Sequence, residues 1–193
     1  MGKVIYVTGA PASGKSTTTR MMLDEMGEIA VWEYGARLAE HLRAAGVHLA
    51  DQDELREKSS RLAVAAAIDE LDNQLLKFVA ERRGGGHVLI DSHPVTREHY
   101  GFRITAFSHE RVRLLAPSEV WCFYTAPEVA VARITTDPRG RPAVDVETAR
   151  MHTLLQASVA ATYGIAAGCP VYLFDTDREQ AGLVGELRGR LSR

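Results

Sequence analysis

The sequence predicts an α/β fold: a five-stranded parallel sheet with helices on both faces, stacked as a three-layer sandwich. Three observations predict it. Apolar runs of strand length recur along the chain, each run is continuous rather than alternating, and helix-like periodicity separates one run from the next. Continuous runs suit parallel strands covered from both sides, and strands alternating with helices imply right-handed βαβ units.

The strands are read at Lys3–Thr8, Ile29–Trp32, His87–Asp91, Val120–Tyr124 and Val171–Phe174. Helices are read at Lys15–Met26, Ala36–Ala45, Pro127–Ile134, Asp145–Ala167 and Arg178–Leu191. A longer one is read at Asp51–Arg82, where Ile68, Leu71, Leu75, Phe78 and Val79 repeat at three- and four-residue steps and form one buried stripe. Its acidic start, "DQDE", suits a helix N-terminus, and Gly84-Gly85-Gly86 ends it.

Composition bounds the rest. The 193 residues fit a single domain, 1–193, with no internal repeat and no low-complexity linker. At 46% hydrophobic and 25% charged, the chain can bury a core. A net charge of −2 sets up no global field toward nucleic acid or a membrane, so an anion site has to be built locally. Cys122 and Cys169 sit in apolar runs and read as buried thiols. The 7 histidines show no HxxxH or CxxC pattern, so no structural zinc is expected. No basic and apolar leader precedes the first strand and no run reaches membrane-spanning length, which points to the cytoplasm.

One stretch carries chemistry outright. "GAPASGKS" fits G-x-x-x-x-G-K-[ST], with strand "VIYVT" before it and a helical pattern after it. Glycines at 9 and 14 let the backbone curl so that successive amides of Gly9, Ala10, Pro11, Ala12, Ser13, Gly14, Lys15, Ser16 and Thr17 surround phosphate oxygens, proline excepted as a donor. The helix beginning near Lys15 adds the positive end of its dipole. Lys15 reaches the β- and γ-phosphates, and the Ser16 hydroxyl is placed to ligate Mg2+. The fold is therefore expected to be a P-loop sandwich binding ATP.

Asp91 ends a buried apolar strand in "HVLIDSH". An acid there either holds Mg2+ through a water or caps the strand end, and both readings stand. "ARITTDPRGRP" gathers Arg133, Arg139 and Arg141 around Asp137-Pro138 and Gly140 between two helices. Such a loop suits a short Arg-rich lid, about 134–146, whose guanidinium groups meet phosphates on closure, or else a solvated basic turn.

With these motifs in place, the chain resembles the P-loop nucleoside monophosphate kinases, and within them the archaeal-type adenylate kinases. Those carry "TGxPGxGK[ST]T", "YGD", "DRDEMRKL" and "IDTHAxIRT" in that order; here the matching stretches read "TGAPASGKST", "EYGARL", "DQDELREK" and "IDSHPVTRE". The resemblance runs from the first strand to about Phe174 and implies an acceptor-binding region of about 33–82. It implies acceptor contacts from Tyr34, Arg56, His93 and Arg97, and catalytic roles for Lys15, Arg133, Arg139 and Asp91. For Arg56, pairing with neighbouring helix glutamates is an equal reading, and for His93 so is packing. The family's arginine in the helix after the lid falls nearer Gln156, while Arg150 at the start of that helix is the other candidate to reach the site, and the family's adenine packs where Asp175–Asp177 follow the last strand.

The chain departs from that pattern at Ala36, Gln52 and "HYGFRITAFSHERV", all on the acceptor side. The expected activity is therefore Mg2+-dependent transfer of the γ-phosphoryl of ATP to a nucleoside monophosphate, AMP first. A kinase of a nucleoside or another small hydroxylated metabolite is the alternative, and a slow nucleotide-hydrolysing regulator the third reading. A homo-oligomer is compatible with the sequence, which marks no interface.

Overall fold

The computed structural model describes residues 2–27, 29–46, 65–137 and 142–192. Strand β1 (Val4–Gly9) leads into helix α1 (Lys15–Glu25), then β2 (Ile29–Glu33) and α2 (Tyr34–Ala44). After α3 (Ala65–Arg82) come β3 (His87–Asp91), β4 (Val95–Glu98), β5 (Gly101–Ile104) and α4 (His109–Leu115). The chain continues through β6 (Glu119–Tyr124), α5 (Pro127–Thr135), α6 (Val146–Ala167), β7 (Val171–Asp175) and α7 (Gln180–Leu191). No helix among the described residues is long and apolar enough to cross a membrane.

Five strands form one parallel sheet in the order β2-β3-β1-β6-β7, and β4 and β5 pair separately as an antiparallel hairpin. Alternation of side chains across each strand divides the core in two. Val4, Tyr6, Val88, Ile90, Val120 and Cys122 face α3, α4 and α6 through Leu71, Leu75, Val112, Val159 and Tyr163. Ile5, Val7, Leu89, Trp121 and Phe123 face α1 and α7 through Met22, Leu183, Val184 and Leu187. Both faces of β1 are covered, which is why its apolar run does not alternate. The chain leaves β1 toward β2 on one side and later adds β6 on the other, so the switch point of the sheet lies beside the carboxyl end of β1.

The five core strands and the helices match their sequence-predicted spans within a few residues. The helix expected at Asp51–Arg82 is described only from Ala65, and Arg56 and the stretch 47–64 lie outside the described residues. Arg139 and Arg141 in the Arg-rich loop lie outside them too. The hairpin and α4 come as additions. Each hairpin strand has four residues and mixes polar with apolar side chains, too short and too mixed to register as a continuous run. Helix α4 is a short helix of about two turns, capped by Ser108, whose hydroxyl accepts from the Arg111 amide at 3.2 Å.

Candidate functional site

The loop between β1 and α1 is shaped by two left-handed residues, Ala12 at φ 61° and Gly14 at φ 79°. A β-carbon on Gly14 would stand 2.8 Å from Thr176 Oγ1 and 2.9 Å from Thr176 Cβ. One on Gly9 would stand 2.6 Å from Ser13 Oγ and 2.7 Å from the Phe123 carbonyl oxygen. Only glycine fits either place, for conformation at Gly14 and for space at both. Helix α1 has no side-chain cap and no acid in its first turn, so its leading amides stay available to an anion.

Several side chains hold this loop from outside. Thr176, just past β7, donates its hydroxyl to the Ser13 carbonyl at 2.7 Å. Arg133 donates to Ala12 O at 3.3 Å, Thr176 Oγ1 at 3.1 Å and Thr176 O at 3.3 Å. Thr18 donates to Gln180 Oε1 at 2.8 Å, and Gln180 Nε2 donates to Thr176 O at 3.0 Å. From the opposite side Gln156, only 1% exposed, donates to Gly9 O at 3.4 Å and accepts from Thr8 at 3.2 Å. The loop is thus a framed cradle.

Lys15 is buried, and its ammonium forms an ion pair with Asp91 Oδ2 at the end of β3. The register makes this contact: Val7 of β1 pairs with Asp91, so the loop leaving β1 starts beside that carboxylate. Asp91 Oδ1 is buried and, among the described residues, has no hydrogen-bond partner; His93 Nε2 stands 3.7 Å away. The other ring nitrogen of His93 lies 3.3 Å from Gly9 O. A buried carboxylate oxygen without a donor, near a helix N-terminus whose Ser16 is exposed, fits a hard oxygen-seeking cation such as Mg2+.

The acceptor-side candidates fare unevenly. The Tyr34 hydroxyl donates to Asp72 Oδ1 at 2.7 Å, which occupies it within the fold. Asp72 Oδ2 pairs with Arg111 Nη1 at 3.0 Å, and Arg111 Nη2 with Asp69 at 2.9 Å. Burial pushes the Asp72 carboxyl up, while the Tyr34 hydrogen bond and the Arg111 charge oppose it. Burial and the Asp72 contact also push the Tyr34 phenol far above its ordinary value. Arg97, on β4, is exposed and donates to the Ala143 carbonyl at 3.3 Å, tying the hairpin to the chain just past the Arg-rich loop.

Two open assignments close here. Gln156, not Arg150, reaches the loop; Arg150 pairs with Glu147 at 3.3 Å and Glu128 at 3.6 Å on the surface. Arg133 lies in the last turn of α5, inside the helix the sequence predicts there, and it donates to the loop's outer wall. The sequence marks 175–177 only through the backbone, and the side chains of Thr176, Gln180 and Arg111 carry no mark in it. A lone threonine after a strand and an arginine in a seven-residue helix carry no spacing signal.

His152 anchors the hairpin. Its Nε2 lies 3.1 Å from Val95 O, and its ring stands edge-on to Phe102 at 5.1 Å between centroids. Burial pulls its pKa below the ordinary imidazole range; the Val95 carbonyl opposes this, and the Arg97 charge adds to it. The unfolded chain therefore takes up a proton first, at about pH 6.5. Stability from this residue is present above that pH and is lost as pH falls through the folded value. Urea midpoints measured between about pH 7.5 and 5 are expected to fall less steeply for His152→Phe than for the parent chain; equal slopes would remove His152 as the cause.

The comparisons with known proteins agree with this geometry. The profile of the AAA domain family matches residues 8–150, from the end of β1 into α6. The chain is 24% identical to the adenylate kinases of Thermococcus onnurineus and Pyrococcus furiosus over 182 residues, 93% of this chain and 89% of each relative. In three dimensions it resembles a shikimate kinase from Bacteroides thetaiotaomicron, with a TM-score of 0.61 at 16% identity over 99% of both chains. A sugar kinase from Janibacter gives 0.56 at 17% identity, over 100% of this chain and 95% of that one. At such identities the structural likeness speaks for the fold alone. A phosphate cradle at the switch point of a five-stranded parallel sheet, matched across most of its length by the family profile, makes the chain an ATP-dependent kinase of the AAA domain family with a P-loop kinase core.

Proposed function

We propose that the chain moves the γ-phosphoryl group of ATP to a nucleoside monophosphate, AMP foremost, with Mg2+ as cofactor. The observation that carries this reading is the similarity to adenylate kinases along nearly the whole of both chains. The loop amides from Ala10 to Thr17, proline excepted, would hold the β- and γ-phosphates, and Lys15 would exchange its Asp91 partner for phosphate oxygen. Mg2+, held by Ser16 and Asp91, would neutralise charge on those oxygens. Arg133 keeps the cradle's outer wall closed against the segment after β7, where the base of ATP would lie along Asp175–Asp177. His93, 3.3 Å from Gly9 O, and Arg97, a guanidinium suited to an anionic group, would contact the acceptor.

A second reading is favoured by one contact. The free Oδ1 of Asp91, beside Lys15, could take the proton of an attacking hydroxyl, which a phosphate acceptor does not require. The similar shikimate and sugar kinase structures act, by their names, on small hydroxylated compounds. ADP release from ATP-Mg2+ would be followed against a panel of nucleoside monophosphates, nucleosides, sugars and hydroxy acids. AMP is expected to stimulate turnover most. Stimulation by hydroxyl compounds alone would replace the first reading with the second, and slow turnover indifferent to every acceptor would replace both with the regulator.

A further inference from the structure

We propose that Pro94 and Gln156 are positioning residues of the transfer site. Pro94 withholds the amide that would continue the sheet past β3, and Gln156 shares the Gly9 carbonyl so released with His93. The inference rests on the phosphoryl-transfer reading above, and adds how His93 and the start of the phosphate loop are set against each other.

The ladder between β1 and β3 makes the opening. The Lys3 carbonyl accepts from the Val88 amide at 2.8 Å, and the Val7 carbonyl from the Ser92 amide at 3.1 Å. Parallel strands bond at alternate residues, so the rung after Val7 and Ser92 would pair the Gly9 carbonyl with the amide of residue 94. Residue 94 is a buried proline and has no N–H to give. The ladder therefore stops at Gly9, the last residue of β1, where the chain turns into the loop. Gly9 is itself buried, and a buried carbonyl has to find another donor.

Two side chains supply it. Gln156 Nε2 comes within 3.4 Å of Gly9 O from α6, and His93 Nδ1 within 3.3 Å from the segment after β3. Both contacts are long, as suits two donors sharing one oxygen, one to each lone pair. Because a carbonyl only accepts, the contact orients each group. The Gln156 amide turns its nitrogen to Gly9 and its oxygen to the buried Thr8 hydroxyl, which donates at 3.2 Å. The His93 ring carries a proton on Nδ1 and turns Nε2 toward the end of β3, 3.7 Å from Asp91 Oδ1. One oxygen thus ties the origin of the donor loop to α6 and aims the histidine that would meet the acceptor. Moving it displaces both reacting sides, and transfer is sensitive to such misplacement.

Pro94→Ala restores the missing amide. It is expected to give Gly9 its rung and release His93, so that nitrogen NMR of the ligand-free chain loses the Nδ1–H form of this ring. With AMP as acceptor, KM for AMP is expected to rise about tenfold and KM for ATP to stay within about twofold. Gln156→Met keeps the length and removes the donor, and kcat is expected to fall at least about tenfold. Thr8→Val is the control. It removes the other contact of the same amide, so it shares the loss of a buried hydrogen bond while kcat stays within about twofold. Equal losses of kcat in Gln156→Met and Thr8→Val would overturn the part of Gln156. A His93 ring still protonated at Nδ1 in Pro94→Ala would overturn the part of Pro94. A parent chain that AMP does not stimulate would sink the nucleoside monophosphate reading alone: the ring is read without substrate, and kcat is then taken with whichever compound of the panel stimulates turnover.

Discussion

Lys15→Ala is expected to lower kcat at least about a thousandfold, equivalent to about 4 kcal/mol of transition-state stabilisation. The lysine is a buried cation at the loop's end and, among the described residues, its ion-pair partner is Asp91. Its charge is needed most where negative charge builds during transfer, so the loss should fall on kcat more than on KM for ATP. A stability cost comes with it. Removing the ammonium leaves Asp91, 15% exposed, without its cation, and breaking a buried pair costs about 3–5 kcal/mol. Asp91→Asn in the Lys15→Ala background should recover much of that stability and none of the activity. Chemical denaturation and initial rates on the three variants separate the two effects. Activity within about tenfold of the parent would mean that the loop does not hold the transferred group.

The donor half of this site was legible because its physics is local. A strand, a glycine-bounded loop and a helix N-terminus lie within about twenty consecutive residues, so the order of residues fixes their geometry. Asp91 was legible for a related reason: the end of a buried apolar run marks the end of a parallel strand, and ligands gather at those ends. The frame around the loop was not. Thr176, Gln180, Arg133 and Gln156 converge from segments up to 163 residues apart, as the Ser13–Thr176 bond shows, and no periodicity records a contact across that separation. Tyr34 shows the same limit. Its motif position suggested a ligand, whereas the pairing of its hydroxyl depends on Asp72 and on Arg111 from a helix too short to be seen in the sequence. Ala36 and Gln52 mark a change on the acceptor side without stating what the new surface accepts.

Gly14→Ala is expected to damage stability and ATP binding together, by two causes that a control can divide. The first is conformational: at φ 79° an alanine sits in the left-handed region, at a cost of about 1–2 kcal/mol. The second is crowding. The new β-carbon would meet Thr176 at 2.8–2.9 Å, and Thr176 cannot retreat freely. Its hydroxyl is bound to Ser13 and Arg133, and its carbonyl to Arg133 and Gln180. Moving it loosens the outer wall of the cradle from three directions. Gly168→Ala is the control: this residue caps α6 at φ 67°, and its β-carbon would have nothing within 4 Å. Strain alone should lower its melting temperature by about 2–4 °C, the size expected for about 1 kcal/mol in a chain of this length, with ATP affinity unchanged. Gly14→Ala should fall further in melting temperature and lose at least about tenfold in ATP affinity by calorimetry, the equivalent of about 1.4 kcal/mol. If the two variants bound ATP alike, the contact with Thr176 would have no part in holding the phosphate cradle.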